Sequence, residues 1–138
     1  MDAHGNFFFE LNINYPKKIY RWALLRHIGA LDDLRGIHFD LLLEDREYCR
    51  TWRLCDVPLL DGPYVDSFYL SPHNLDWLDI KEKVLSGNRG VATRIKEGIF
   101  FKSLPSIEKS SINLCLIWEN VEVDLVINEN GCRIVSKK

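Results

Sequence analysis

The sequence predicts a mostly β protein, a small closed β-barrel with one or two short helices. Three observations carry that expectation. Apolar residues recur with a period of two in several short segments, turn residues separate those segments, and helical periodicity is scarce. Closing such a sheet into a barrel removes exposed strand edges. The length of 138 residues suits one domain, spanning 1–138, around a single core. Hydrophobic residues make up 46% and aromatics 12%, which excludes a disordered or low-complexity chain.

Along the chain, residues 1–5, including His4, are expected to form a mobile leader. Phe7, Phe9, Leu11 and Ile13 then alternate with Phe8, Glu10, Asn12 and Asn14, the pattern of a half-buried strand. Residues 21–27 read as a second strand, and 29–36 as a loop carrying Asp32, Asp33 and Arg35. A hairpin follows, with strands 37–44 and 49–54 joined by Asp45-Arg46-Glu47. Residues 74–85 read either as a helix capped by Asn74, with Leu75, Leu78 and Leu85 on one face, or as an irregular loop. Pro58, Pro63, Pro72 and Pro105 punctuate connections. Three more strands are expected at 112–119, 121–127 and 132–136, the last two separated by an Asn130-Gly131 turn. Trp22, Trp52 and Trp118 are expected in the core.

Several function classes are excluded or narrowed by composition. The net charge is −2, from 18 basic and 20 acidic side chains, so any contact with a polyanion must come from a local basic rim. The apolar runs, such as Leu41-Leu42-Leu43, fall far short of the ~20 residues that cross a bilayer, so no membrane partner is expected. No basic-then-apolar leader opens the chain, which points to the cytoplasm. Cys49, Cys55, Cys115 and Cys132 lack CxxC spacing, so a zinc knuckle is not supported and the thiols are expected to stay reduced and mostly buried.

The segment with chemical content is Ile37-His38-Phe39-Asp40-Leu41-Leu42-Leu43-Glu44. On a strand, Phe39, Leu41 and Leu43 face the core while His38, Asp40, Leu42 and Glu44 face the other way. His38 and Asp40 then lie ~7 Å apart along the strand, suited to ligating one divalent metal or to acting as an acid/base pair. His27, ending the preceding strand, can reach the same place, and His73 follows Pro72 in a loop.

The ordered set His27, His38-Phe39-Asp40-Leu-Leu-Leu-Glu44, Arg50-Thr51-Trp52, His73-Asn-Leu-Asp76-Trp77 and Gly87-Asn-Arg-Gly90 resembles the 3′-phosphoesterase domain of bacterial DNA ligase D in its short stand-alone version. That family reads H-Y-D-x-R-L-E, then S-W, then H-P-L-D-Y, then E-G-x-Y-G. The resemblance covers roughly residues 22–101. It implies a compact β-barrel with a surface groove that trims 3′ ends of DNA or RNA, removing a 3′-phosphate or a terminal ribonucleotide. It implies Mn2+, or another divalent transition metal, bound by His27, His38 and Asp40. His73 matches the family histidine that contacts the scissile phosphate, and the catalytic set so implied is His73, His38 and Asp40. The implied partners are nucleic-acid 3′ ends, alongside ligase and polymerase repair proteins encoded separately, with the chain itself a monomer.

The sequence departs from the family at two functional positions. Leu42 stands where the family has a phosphate-clamping arginine, and Trp77 where it has a tyrosine. Arg89 also replaces the tyrosine of the glycine-rich motif, and the loop between His27 and His38 is longer than in ligase D. Arg26, Arg53, Arg89 or Arg94 is expected to replace the lost positive charge, and Trp77 is suited to stacking on a base. Two alternatives stand beside the enzyme. One is a catalytically weakened or inactive barrel that binds nucleic-acid ends or a protein partner, and the other is a barrel that binds a small ligand.

Overall fold

The computed structural model describes residues 19–29, 31, 36–107 and 111–137. Its strands are β1 (Tyr20–Ile28), β2 (Ile37–Asp45), β3 (Tyr48–Leu54), β4 (Ser67–Asn74), β5 (Glu82–Val84), β6 (Val91–Phe100), β7 (Ile112–Trp118), β8 (Val121–Asn128) and β9 (Gly131–Ser136). They form one antiparallel sheet in the order β4-β3-β2-β1-β6-β7-β8-β9, with β5 paired to β6 off that path. The expected leader and the strand over residues 7–13 lie outside the described residues, as does most of the loop between Gly29 and Gly36.

The mostly β expectation holds, whereas the closed barrel does not. The sheet is curled and open, and its end strands β4 and β9 share no ladder. The connection between β3 and β4 intervenes, touching β9 through a Val65–Cys132 bridge and a Leu60–Ile134 bridge. That connection contains Pro58 and Pro63, which have no N–H to donate to a ladder. β6 and β7 also pair only at Phe100–Leu116.

Of the two alternatives for residues 74–85 the helix does not form, and no α-helix occurs among the described residues, against the one or two short helices expected. A single 3-10 turn, Leu75–Leu78, follows Asn74, whose side chain accepts from the Asp76 N–H. The chain then leaves for β5, because Leu78 is drawn onto the sheet and Glu82–Val84 pairs with β6. No helix is long and apolar enough to cross a membrane among the described residues.

The main core lies on one face of the sheet. Alternation sends Trp22 and Leu24 of β1, Leu41 and Leu43 of β2, and Trp52 and Leu54 of β3 to that face. Trp22 stacks on Trp118 with centroids 5.0 Å apart, and its Nε1–H donates to the Ile117 carbonyl at 3.1 Å. Both indoles and that of Trp52 are buried, as expected. A smaller cluster occupies the opposite face, where Ala23, Leu25, Leu42 and Cys49 pack under Leu78, with Trp77 at its margin. This second face carries His38, Asp40 and Glu44 of β2.

Candidate metal centre

Strand register brings the two histidines together. His27 of β1 lies directly opposite His38 of β2, and Asp40 lies opposite Leu25, two residues further along the same face. Opposed residues on antiparallel strands have Cβ atoms about 5 Å apart, within reach of two imidazoles. The rings meet edge to face, with centroids 4.7 Å apart and planes at 69°. One ligand atom from each of His27, His38 and Asp40 lies within 4.8 Å of the other two. The three residues that the family resemblance implies as metal ligands thus lie together at one point of the sheet.

Their chemistry suits a divalent transition metal. Two imidazole nitrogens and one carboxylate leave coordination positions open for water or substrate. His38 Nε2 and Asp40 Oδ2 are 3.5 Å apart. Two ligands at about 2.1 Å from one tetrahedral ion would be separated by about 3.4 Å, so this edge of the triad is already spaced for an ion. His38 and Asp40 are only 3% and 6% exposed. Burial of such groups is stable only when each is compensated by hydrogen bonds, charge or metal. Cys49 lies opposite Glu44, four residues along β2 from Asp40, and is not part of this group; burial and the Glu44 carboxylate push its thiol up to about 12.

Arg53 completes the electrostatics from the next strand. It lies opposite Asp40 in the β2–β3 ladder, and its Nε is 3.7 Å from Asp40 Oδ1. The two carboxylate oxygens thus face different partners, Oδ2 towards His38 and Oδ1 towards Arg53.

A groove of about 410 Å³ opens beside the triad, and its walls include His27, Asp40, Arg53, His73, Trp77 and Arg89. His73 reaches it from β4, where a register shift opposite Cys49 and Thr51 accommodates Pro72. The His73 Nδ1–H donates to the Ser71 carbonyl at 3.3 Å, leaving Nε2 as the nitrogen free for a ligand. Its ring meets Trp77 edge to face at 5.7 Å, and the Lys83 ammonium lies over Trp77 at 5.3 Å.

The four candidate arginines separate by position. Arg53 and Arg89 line the groove. Arg94 is committed elsewhere, donating to the Leu78 carbonyl at 2.9 Å and pairing with Glu97 at 3.1 Å. Arg26 has the opposite strand parity from His27, opposite Phe39, and does not line the groove. Leu42, at the position of the family arginine, is fully buried in the small apolar cluster.

Residues that spacing did not reveal also matter. Arg21 donates to the Leu78 carbonyl at 2.8 Å and pairs with Asp79 at 2.8 Å, so Arg21 and Arg94 together pin the turn that carries Trp77. Lys83 sits on a three-residue strand too short to show a period. Among known proteins, no family model matches the chain, and no curated protein matches it.

Proposed function

We propose that this protein is a metal-dependent phosphoesterase that processes 3′ ends of DNA or RNA, removing a 3′-phosphate or a 3′-terminal ribonucleotide. The observation that carries the reading is the convergence of His27, His38 and Asp40 beside a groove that also holds His73 and Arg53. The resemblance to the ligase D phosphoesterase assigns those three residues to the metal and His73 to the scissile phosphate, and the geometry is compatible with both roles.

In this reading His27, His38 and Asp40 would hold a divalent ion, with Mn2+ the proposed one, which would supply neutralisation of phosphoryl charge and activation of water. Arg53 orients the phosphate with its guanidinium from the neighbouring strand, in place of the arginine that Leu42 lacks. His73 in its protonated form gives the Nε2 proton to the departing 3′ oxygen, while its Nδ1–H stays on the Ser71 carbonyl. With a 3′-phosphate as substrate, hydrolysis breaks the bond between phosphorus and the 3′ oxygen, water supplies the new oxygen on phosphorus, and a 3′-hydroxyl and inorganic phosphate result. The chain acts as a monomer in the cytoplasm, with separate ligase and polymerase proteins as its repair partners.

A second reading is favoured by two side chains. Leu42 offers no guanidinium and Trp77 no hydroxyl where the family has arginine and tyrosine, which fits a weakened or inactive protein that holds nucleic-acid ends, with Trp77 as a stacking surface. One assay separates the two readings: Mn2+-supported release of phosphate from a 3′-phosphorylated primer-template, compared with His38→Ala. Release that depends on His38 supports the enzyme. Salt-dependent binding without release above the His38→Ala control supports the binding protein.

A further inference from the structure

The turn between β5 and β6 lies against the metal triad, and its backbone rather than a side chain makes the contact. His27 Nε2 is 2.7 Å from the Arg89 carbonyl oxygen. A carbonyl can only accept, so Nε2 carries the proton in the neutral ring and Nδ1 keeps the lone pair for a metal. Histidine ligands are commonly oriented by such a bond from their second nitrogen.

Three independent features hold that carbonyl in place. Gly87 and Asn88 have φ of 69° and 56°, giving the tight reversal from Ser86 to Arg89. The Arg89 side chain folds back across this reversal, donating from Nε to the Ser86 carbonyl at 2.7 Å and from Nη2 to Ser86 Oγ at 2.9 Å. Gly90, with φ of 92°, then lies directly on β1. A Cβ there would come within 1.9 Å of the Ile28 carbonyl oxygen, one residue beyond His27. Gly29 meets the same spot, since its own Cβ would lie 3.3 Å from Gly90 Cα. Two glycines therefore let the turn approach the strand closely enough for the Arg89 carbonyl to reach the imidazole.

We propose that the Ser86–Gly90 turn is a positioning element for the metal site, in which the Arg89 carbonyl fixes the tautomer and orientation of His27 and so sets metal affinity. The inference rests on the metal reading given above. Arg89 then acts through its backbone and its bonds to Ser86, as a positioning residue rather than a phosphate ligand.

The test measures Mn2+ affinity by calorimetry and the His27 tautomer by 15N NMR, on the full chain with and without Mn2+. Gly90→Ala forces the turn off β1 and is expected to weaken Mn2+ binding ten- to hundredfold, with loss of the Nε2-protonated signature. Arg89→Ala keeps the carbonyl but removes the bonds to Ser86, and it is expected to weaken binding by up to about tenfold. Arg89 is exposed, so this variant reports even where Gly90→Ala fails to fold. If Arg89→Ala, and Gly90→Ala where it folds, keep wild-type Mn2+ affinity and the wild-type tautomer, the positioning role is overturned while the metal site stands. A wild-type chain that takes up no Mn2+ overturns both.

Discussion

The two faces of β2 are both buried but are filled by opposite chemistry. One presents Leu41 and Leu43 to an apolar core that runs from Trp22 to Ile134. The other presents His38, Asp40 and Glu44, which are 3%, 6% and 6% exposed, around a single apolar residue, Leu42. On the first face, burial itself is stabilising, at roughly 25 cal/mol per Å² of apolar surface. On the second, burial opposes stability unless each polar group is matched, as Asp40 is by His38 and Arg53. A strand so divided spends one side on holding the fold and the other on holding a reactive arrangement rigid.

The largest expected effect comes from breaking the core face. Leu43→Ala should destabilise the fold by about 2–5 kcal/mol in chemical denaturation, because its surroundings cannot fully close the cavity. Mn2+ affinity of the remaining folded protein should change little. An equal loss of both would mean that the faces are not separable.

Removal of a ligand should give the reverse pattern. His38→Ala is expected to lower Mn2+ affinity by at least about a hundredfold, or about 2.7 kcal/mol, as read by calorimetry. Retention of wild-type affinity would remove His38 from the site.

Arg53→Ala should sharpen the division within the polar face. It should leave the three ligands in place while raising the KM for a 3′-phosphorylated end by about tenfold, equivalent to about 1.4 kcal/mol. A fall in Mn2+ affinity alone, with KM unchanged, would instead confine Arg53 to supporting Asp40.

At neutral pH the thiols, one on each face, have no titration effect on stability, and theirs appears only at alkaline pH. Burial raises Cys132 in the core to about 12, and burial together with Glu44 raises Cys49 to about 12, from 9.0 for an ordinary thiol. Between pH 9 and 12 the unfolded chain gives up protons that the folded chain keeps. Stability is therefore intact below pH 9 and falls as pH rises, by about 1.4 kcal/mol per pH unit for each thiol. Denaturation curves across that window check the slope, and replacing both cysteines by alanine should flatten it.

The sequence was most legible where local pattern and tertiary demand agree. β1, β2, β3, β7, β8 and β9 all lie within a residue or two of their expected positions, because alternation there reflects real faces of the sheet. β4 was hidden by Pro72, which is tolerated because β4 ends the strand order. β6 was hidden by the irregularity opposite Leu24 and Leu25, which interrupts its period. The leucines at 75 and 78 mimic a helix but serve a 3-10 turn that covers the small apolar cluster.

The site was legible for the same reason in part. His38 and Asp40 share a face by alternation, but the pairing of His27 with His38 depends on register across a loop, which spacing does not specify. The fate of the arginines was not legible at all. Arg53 and Arg94 look alike in sequence, yet one faces Asp40 and the other holds the Leu78 carbonyl.

The central claim is that the polar face of β2 holds one divalent ion between His27, His38 and Asp40. Its most direct test is a crystal structure of the Mn2+-loaded protein with anomalous scattering at the manganese edge. The account predicts one peak with these three side chains about 2.0–2.3 Å away, by analogy with transition-metal nitrogen and oxygen bonds. No peak at the triad under saturating Mn2+, or a peak that excludes two of the three residues, would contradict it.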